Sequence, residues 1–141
     1  MQRTSTAQRP DLRRIALAAG ASVVSSAAWY TAWGTRLAEL DEAYAGDARP
    51  PAWLVPPVEL ARSATVATAV AVLAGDAGTG SRLRLAAGLW AAFPVVLLTG
   101  SVVHEKVPWQ QAAIHGGDWL VKLLLVAGVV GSGRGPGRHD T

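Results

Sequence analysis

The sequence predicts an all-α fold, an integral membrane four-helix bundle with both termini cytoplasmic, and three observations predict it. Half of the 141 residues are hydrophobic and only 16% are charged, against about 25% charged in a typical soluble domain. The charges are confined to a few stretches, and four long apolar runs separate them. The basic residues gather on one side of those runs, as loop charges do when they set topology. At this length a single domain is expected.

The four runs are Ile15 to Trp33, Val58 to Leu73, Leu85 to Val103 and Ala112 to Val130. A spanning helix needs about 20 mostly apolar residues. The first, third and fourth meet this directly, whereas the second is shorter and Ala-rich, with Glu59 and Arg62 in its first turns. Residues 1–14 then form a basic cytoplasmic segment, 15–131 the transmembrane domain, and the Gly-rich tail 132–141 a disordered end.

Punctuation supports the same division. Pro56-Pro57 precede the second run, where a missing N–H costs nothing, and Glu59 is expected in the first turn, facing the positive end of the helix dipole. Gly78-Thr79-Gly80-Ser81 reads as a turn leading into the third run. Pro94 lies inside that run and should kink it. The longest connection, Gly34 to Pro57, is acidic and then Pro-rich.

Arg3, Arg9, Arg13, Arg14, Arg82, Arg84, Arg134 and Arg138 fall on one side of the spans, and only Arg36, Arg49 and Lys106 on the other. The positive-inside rule therefore places both termini in the cytoplasm. Trp29, Trp33, Trp53, Trp109 and Trp119 cluster toward the opposite, outer boundary, where amphipathic rings are favoured. A rival reading takes Arg13-Arg14, the first apolar run and Ser25-Ser26-Ala27 as a secretory signal. The apolar character continues through Trp29, Tyr30 and Trp33, beyond the usual end of such a signal. A start of the mature chain near Ala28 would remove the first helix.

Several classes of chemistry are excluded or unsupported. There is no cysteine, so disulfides, thiolate metal sites and thiol nucleophiles are absent. The net charge of +3 does not come with the basic stripe and interleaved aromatics of a nucleic-acid binder. No Gly-rich phosphate loop, Ser-His-Asp pattern or His-Glu-x-x-His occurs. Trp53, Glu59, Arg62 and Gly75 share their spacing with Trp109, His115, Asp118 and Gly131, too sparse an echo to establish a duplication.

Three segments resemble one family. The run Gly88-Leu89-Trp90 through Phe93, then His104-Glu105-Lys106-Val107-Pro108-Trp109, then Ile114-His115-Gly116-Gly117-Asp118-Trp119-Leu120-Val121, is similar to the C-terminal half of the domain of unknown function 1761 family. The Trp29-Tyr30 pair resembles its N-terminal half. The resemblance implies a small bacterial membrane protein of about four spans and brings no activity with it. The sequence departs from the family pattern where His115 and Asp118 stand in place of Asn and Tyr.

Ionisable groups inside a span cost roughly 2.5–3.5 kcal/mol each at the helix centre, so each needs a reason. Lys122 is the deepest, ~15 Å along the fourth run. Asp118 precedes it by one turn on the same face, in the favourable acid-before-base order. Glu59 and Arg62 make a similar pair in the second run, and His115 sits one turn above Asp118. Convergence of Glu59, Arg62, His115, Asp118 and Lys122 in an outward-opening polar cavity would suit a small polar or ionic ligand or a proton relay. The plainer alternative is that they are self-neutralising pairs that fix helix register. A metal reading would draw on His104, His115, Glu59 and Asp118, but no closely spaced ligand pair supports it; no metal and no cofactor is expected.

Ala18, Ser22 and Ser26, and Ser63, Ala67 and Ala71, recur at helical spacing and allow close helix approach. Packing within the chain is the first reading, a homodimer or partner membrane protein the second. The predicted partner is the lipid bilayer of the cell membrane, crossed several times, and not nucleic acid. The leading functional class is a non-enzymatic accessory or small-solute or ion-handling module; the other is a membrane-embedded enzyme acting on a lipidic or quinone-like substrate, with His115 and Asp118 as acid–base groups.

Overall fold

The computed structural model describes residues 11–45 and 50–131. Arg3, Arg9, Asp47, Arg49, Arg134, Arg138 and the Gly-rich tail 132–141 lie outside the described residues. Four helices account for most of what is described: α1 (Leu12–Leu40), α2 (Val55–Ala74), α3 (Thr79–His104) and α4 (Trp109–Gly131). All four are long and apolar enough to cross a membrane.

The helices run up and down, so that the ends at Leu12, Ala74, Thr79 and Gly131 share one side of the bundle, called here the terminal end. Leu40, Val55, His104 and Trp109 mark the far end. Contacts between α1 and α4 fix the sense: the Arg14 guanidinium reaches the Val130 carbonyl at 3.5 Å near the terminal end, and Tyr30 meets His115 toward the far end.

α1 begins under an Asp11 cap whose carboxylate accepts the Arg13 N–H at 3.0 Å, one of the orphan donors of a helix start. It does not stop at Gly34. One glycine costs a helix about 1 kcal/mol, and beyond it Arg36 pairs with Glu39 at 2.8 Å while Leu37 is fully buried. α1 therefore continues to Leu40, and Asp41 turns the chain into one 3-10 turn, Glu42–Tyr44.

α2 takes in Pro56 and Pro57 within its first turn rather than following them, because N–H groups there have no intrahelical partner to lose. Glu59 consequently lies one turn further in than expected, away from the dipole end. α3 starts at Thr79, so Gly80 and Ser81 are helical and the turn is confined to 75–78, with Gly75 at φ +49. Pro94 acts through a π turn, Ala91–Val95, which joins the α-helical segments Thr79–Trp90 and Val96–His104. A wider turn accommodates the missing N–H and the ring without breaking the helix. Lys106 ends it in the left-handed region at φ 62, its ammonium on the Val103 carbonyl at 3.0 Å.

α4 is the hub, packed against α1, α2 and the Thr79–Trp90 half of α3. The shared core is built from Ile15, Ala18, Ala67, Val70, Ala86, Leu123, Val126 and Ala127. Such short side chains let backbones approach closely, and the small-residue faces of α1 and α2 are spent inside the chain: Ala18, Ser22, Ser26, Ser63 and Ala67 are all buried. Buried Ser22 donates to the Ala18 carbonyl at 2.8 Å, the local bond by which a hydroxyl is satisfied without water.

Arg82, placed by its sequence among the loop cations, is instead 4% exposed. Its guanidinium donates to the carbonyls of Ala127 and Ala77 and to the Thr79 hydroxyl. Positive charge is favoured in the last turns of a helix, and Gly131 provides the room: a Cβ at that position would collide with the guanidinium.

Two aromatic side chains straddle α4 at its Gly-Gly pair. The Trp29 indole donates to the Ile114 carbonyl at 3.0 Å and the Trp90 indole to the Gly116 carbonyl at 2.8 Å. A Cβ on Gly117 would lie 2.6 Å from the Trp29 ring, whereas one on Gly20 meets nothing within 4 Å. Gly117→Ala is expected to lower stability by about 1–3 kcal/mol through overpacking, and Gly20→Ala to be neutral or raise it by up to about 1 kcal/mol. Thermal unfolding of the two variants in one mild detergent checks the contrast; equal shifts would refute the close approach.

Candidate functional site

A helical face at the α1–α4 seam carries polar groups in register. Ser26 and Tyr30 lie one turn apart on α1, and Asp118 and His115 one turn apart on antiparallel α4. Each hydroxyl therefore meets its counterpart: Ser26 Oγ donates to Asp118 Oδ1 at 2.5 Å, and Tyr30 Oη lies 2.7 Å from His115 Nδ1.

Lys122, one turn further along α4, is shared between two carboxylates. Its Nζ is 3.0 Å from Asp118 Oδ2 and 3.3 Å from Glu59 Oε2. The other oxygen of Glu59 pairs with Arg62 at 2.5 Å. Both cations also lie over the Trp119 ring, at 5.3 Å for Lys122 and 5.4 Å for Arg62, a face that attracts positive charge. Two cations thus meet two anions, with Asp118 and Lys122 buried and Arg62 half exposed. From Trp109 to Lys122 is about 20 Å along α4 at 1.5 Å per residue, deeper than the apolar run suggests.

Four of the five residues singled out from sequence, Glu59, Arg62, Asp118 and Lys122, are linked directly. His115 stands apart from the ion pairs. Its second ring nitrogen, Nε2, lies 2.9 Å from the Tyr44 hydroxyl, so the imidazole bridges two tyrosines. Tyr44 comes from the 3-10 turn after α1, where burial raises its hydroxyl above the ordinary value. Beside it, Asp41 Oδ2 accepts from Gln111 Nε2 at 3.0 Å. The Ala43 N–H and then the Gln111 amide hold the Asp41 carboxyl below its usual pKa. A depressed folded-state value means that this anchoring is complete above the ordinary carboxylate range and is lost as pH falls through the lower value.

Space around the ion pairs is scarce. The void bounded by Ser22, Arg62, Ser63, Val66, Trp119 and Lys122 measures about 10 Å³, at the lower limit for one water. The roomy opening, about 570 Å³, is an apolar groove on the side of the bundle; Arg62 and Trp119 reach it, but His115 and Asp118 do not line it. His104 is exposed beyond the cluster, and among the described residues no group of three or more His, Asp or Glu is placed to hold a metal ion.

Sequence reasoning missed Tyr44, Gln111 and Asp41, and did not foresee Trp119 beneath two cations. The pairing of Ser26 and Tyr30 with Asp118 and His115 was accessible from their matching helical intervals; Tyr44 had no local signal, because a loop delivers it.

Removing one member of a buried ion pair leaves the other uncompensated, at a cost of about 3–5 kcal/mol. Lys122→Leu is therefore expected to lower the unfolding midpoint sharply. Combining it with Asp118→Leu should recover much of the loss, since Glu59 keeps Arg62 and Ser26 can bond back along its own helix. Thermal melts of the single and double variants measure the difference; a single variant more stable than the parent would contradict the pairing.

A family model described as "Protein of unknown function (DUF1761)" matches residues 14–131. No curated protein and no solved structure matches the chain. The family match takes in the whole of the polar cluster, the Gly116-Gly117 pair and both indoles that straddle it, and the chain belongs to the DUF1761 family.

Proposed function

We propose that the protein is a multi-pass cell-membrane protein acting as a non-enzymatic, ion-handling accessory module, and that the ion it handles is the proton. The observation that carries this reading is His115 with a tyrosine hydroxyl at each ring nitrogen. A neutral imidazole donates through one nitrogen and accepts through the other. A proton accepted at one nitrogen and released from the other moves across the ring without the ring moving. Tyr44 stands on the far-end side of that bridge and Tyr30 on the inner side, with the Ser26–Asp118 pair one turn deeper. The path ends at Asp118, Lys122 and Glu59, and needs one transfer across the helical turn between the Tyr30 hydroxyl and the Ser26–Asp118 pair.

The space supports a proton over a larger solute, since a void near 10 Å³ beside Lys122 has no room for a solvated ion. Past Lys122 the seam is apolar, with Ala18, Val70 and Val126 fully buried. The path is therefore a half-channel that loads and unloads a buried cluster from one side, which suits an accessory module better than a free-standing conduit. The enzymatic alternative draws less support: a lipidic or quinone-like substrate would lie in the apolar groove, and neither His115 nor Asp118 lines it.

Infrared difference spectroscopy after a pH jump tests the relay in proteoliposomes. A carboxyl band that responds to the jump and is absent in Asp118→Asn is expected. Its rise should slow by about tenfold or more in Tyr30→Phe, Tyr44→Phe or His115→Phe. A cluster that only fixes helix register would give no such band, and that result would end the proposal.

The orientation assigned to this path has the far end outside and both termini in the cytoplasm, supported by the excess of basic residues at the terminal end. The chain contains no native cysteine, so single cysteines report position cleanly. Trp53→Cys should react with an impermeant maleimide added to intact cells, and Asp76→Cys only after permeabilisation. The reverse pattern would invert the topology.

A further inference from the structure

The groove of about 570 Å³ lies between α2 and α3 over a floor of α4. It exists because α3 leaves the bundle partway along. Its Thr79–Trp90 segment packs on α4 and touches α2, whereas Val96–His104 touches α4 lightly and does not reach α2. The divergence begins at the π turn, and Phe93 and Pro94 form part of the wall.

The lining is apolar except at one place. Ala69 and Leu73 from α2, Phe93 and Leu97 from α3 and Leu123 from α4 contribute only hydrocarbon and ring. Arg62 is the one ionisable residue of the lining, and Trp119 lies under its guanidinium. Arg62 stands toward the far end, and its side chain leans further that way, because helical side chains tilt toward the helix N-terminus and long cationic ones extend to the interface. Its Nη1 is engaged by Glu59, and the side chain is 51% exposed. That Glu59 carboxylate is already divided between Arg62 and Lys122. From Arg62, two turns inside the far end of α2, the wall runs roughly 16 Å at about 1.5 Å per residue to Leu73 beside its terminal end, a length comparable to an acyl chain that fills one half of a core about 30 Å thick.

A cation at one end of an apolar trough as long as a leaflet is deep matches one chemistry. We propose that the groove is a binding site for a membrane phospholipid with an anionic headgroup, its acyl chain along Ala69, Leu73, Phe93 and Leu97 and its phosphate against Arg62. The planar guanidinium offers a phosphate paired donors. Charge selects this occupant over a second copy of the chain, since Arg62 is the ionisable residue of the lining and half of its side chain stays exposed beside the Glu59 carboxylate that it shares with Lys122.

The site is tested in nanodiscs of mixed phosphatidylglycerol and phosphatidylcholine, with lipids retained by the released protein identified by native mass spectrometry. The parent should retain one phospholipid and favour the anionic one roughly fivefold. Arg62→Gln should keep a lipid but lose the preference. Ala69→Trp fills the trough from an exposed position outside the ion-pair cluster and should abolish retention while leaving thermal stability unchanged. No retained lipid, equal retention of the two headgroups by the parent, or a dimer that Ala69→Trp dissociates would each overturn the assignment.

Discussion

A lysine amine placed about 20 Å into an apolar helix has to be answered by the fold around it. Lys122 is answered twice, by Asp118 on its own helix and by Glu59 on α2. The second carboxylate in turn requires a second cation, which Arg62 provides. Asp118 has an oxygen left over, and Ser26 of α1 takes it. Satisfying one charge in surroundings without water thus joins α1, α2 and α4 at one level. Faces of alanine and valine specify contact but hardly specify register, because sliding one small residue past another changes little. The polar level supplies the register that the apolar faces lack, the best-attested use of buried charge.

Close approach makes that level possible. Ser22, Ser26 and Ser63 are too short to hold helices apart, and the glycines of α4 extend the same principle to two neighbours at once. Gly117 receives the edge of the Trp29 ring, and Gly116 has the Leu98 side chain 3.4 Å from where its Cβ would stand. Each indole then bonds a carbonyl of α4 that a larger neighbouring residue would cover. The Gly-Gly-Asp sequence reads as one device: two positions emptied so that the next can be reached by the Ser26 hydroxyl.

The four helices were legible because runs long and apolar enough to cross a membrane show in length and composition, which no tertiary contact needs to reveal. Their ends were less so. Gly34 looked like a stop, yet Leu37 is buried beyond it, and tertiary burial outweighs the weak propensity cost of one glycine. Thr79-Gly80-Ser81 looked like a turn, but the helix forms there because Arg82 must reach Ala77, Thr79 and Ala127 together. Arg82 itself was unreadable as a buried group, since a basic residue near a span boundary is indistinguishable in sequence from a topology signal. In the polar cluster, groups on helices announced themselves through three- and four-residue intervals. Tyr44, Asp41 and Gln111 depend on how the chain leaves α1, which periodicity does not encode.

The four helices are unequal in what they contribute. Of the four helices, α4 buries the largest share of its apolar stretch and α3 the smallest. The attachment of α3 is concentrated at Arg82, at Ala86 and at the Trp90 indole, all on the terminal-end side of the π turn. Beyond Pro94, Val96 and Leu97 are exposed, while Leu98 still reaches Gly116 of α4. The His115 bridge and the groove therefore sit on opposite sides of the hub: one between α1 and α4, where packing is closest, the other between α2 and α3, where it is loosest. Arg62 and Trp119 are common to both surroundings. A charge gained or lost by the cluster alters the field at the Arg62 guanidinium, and an anion on that guanidinium alters the field at Glu59. By linkage any such coupling is equal in free energy in both directions.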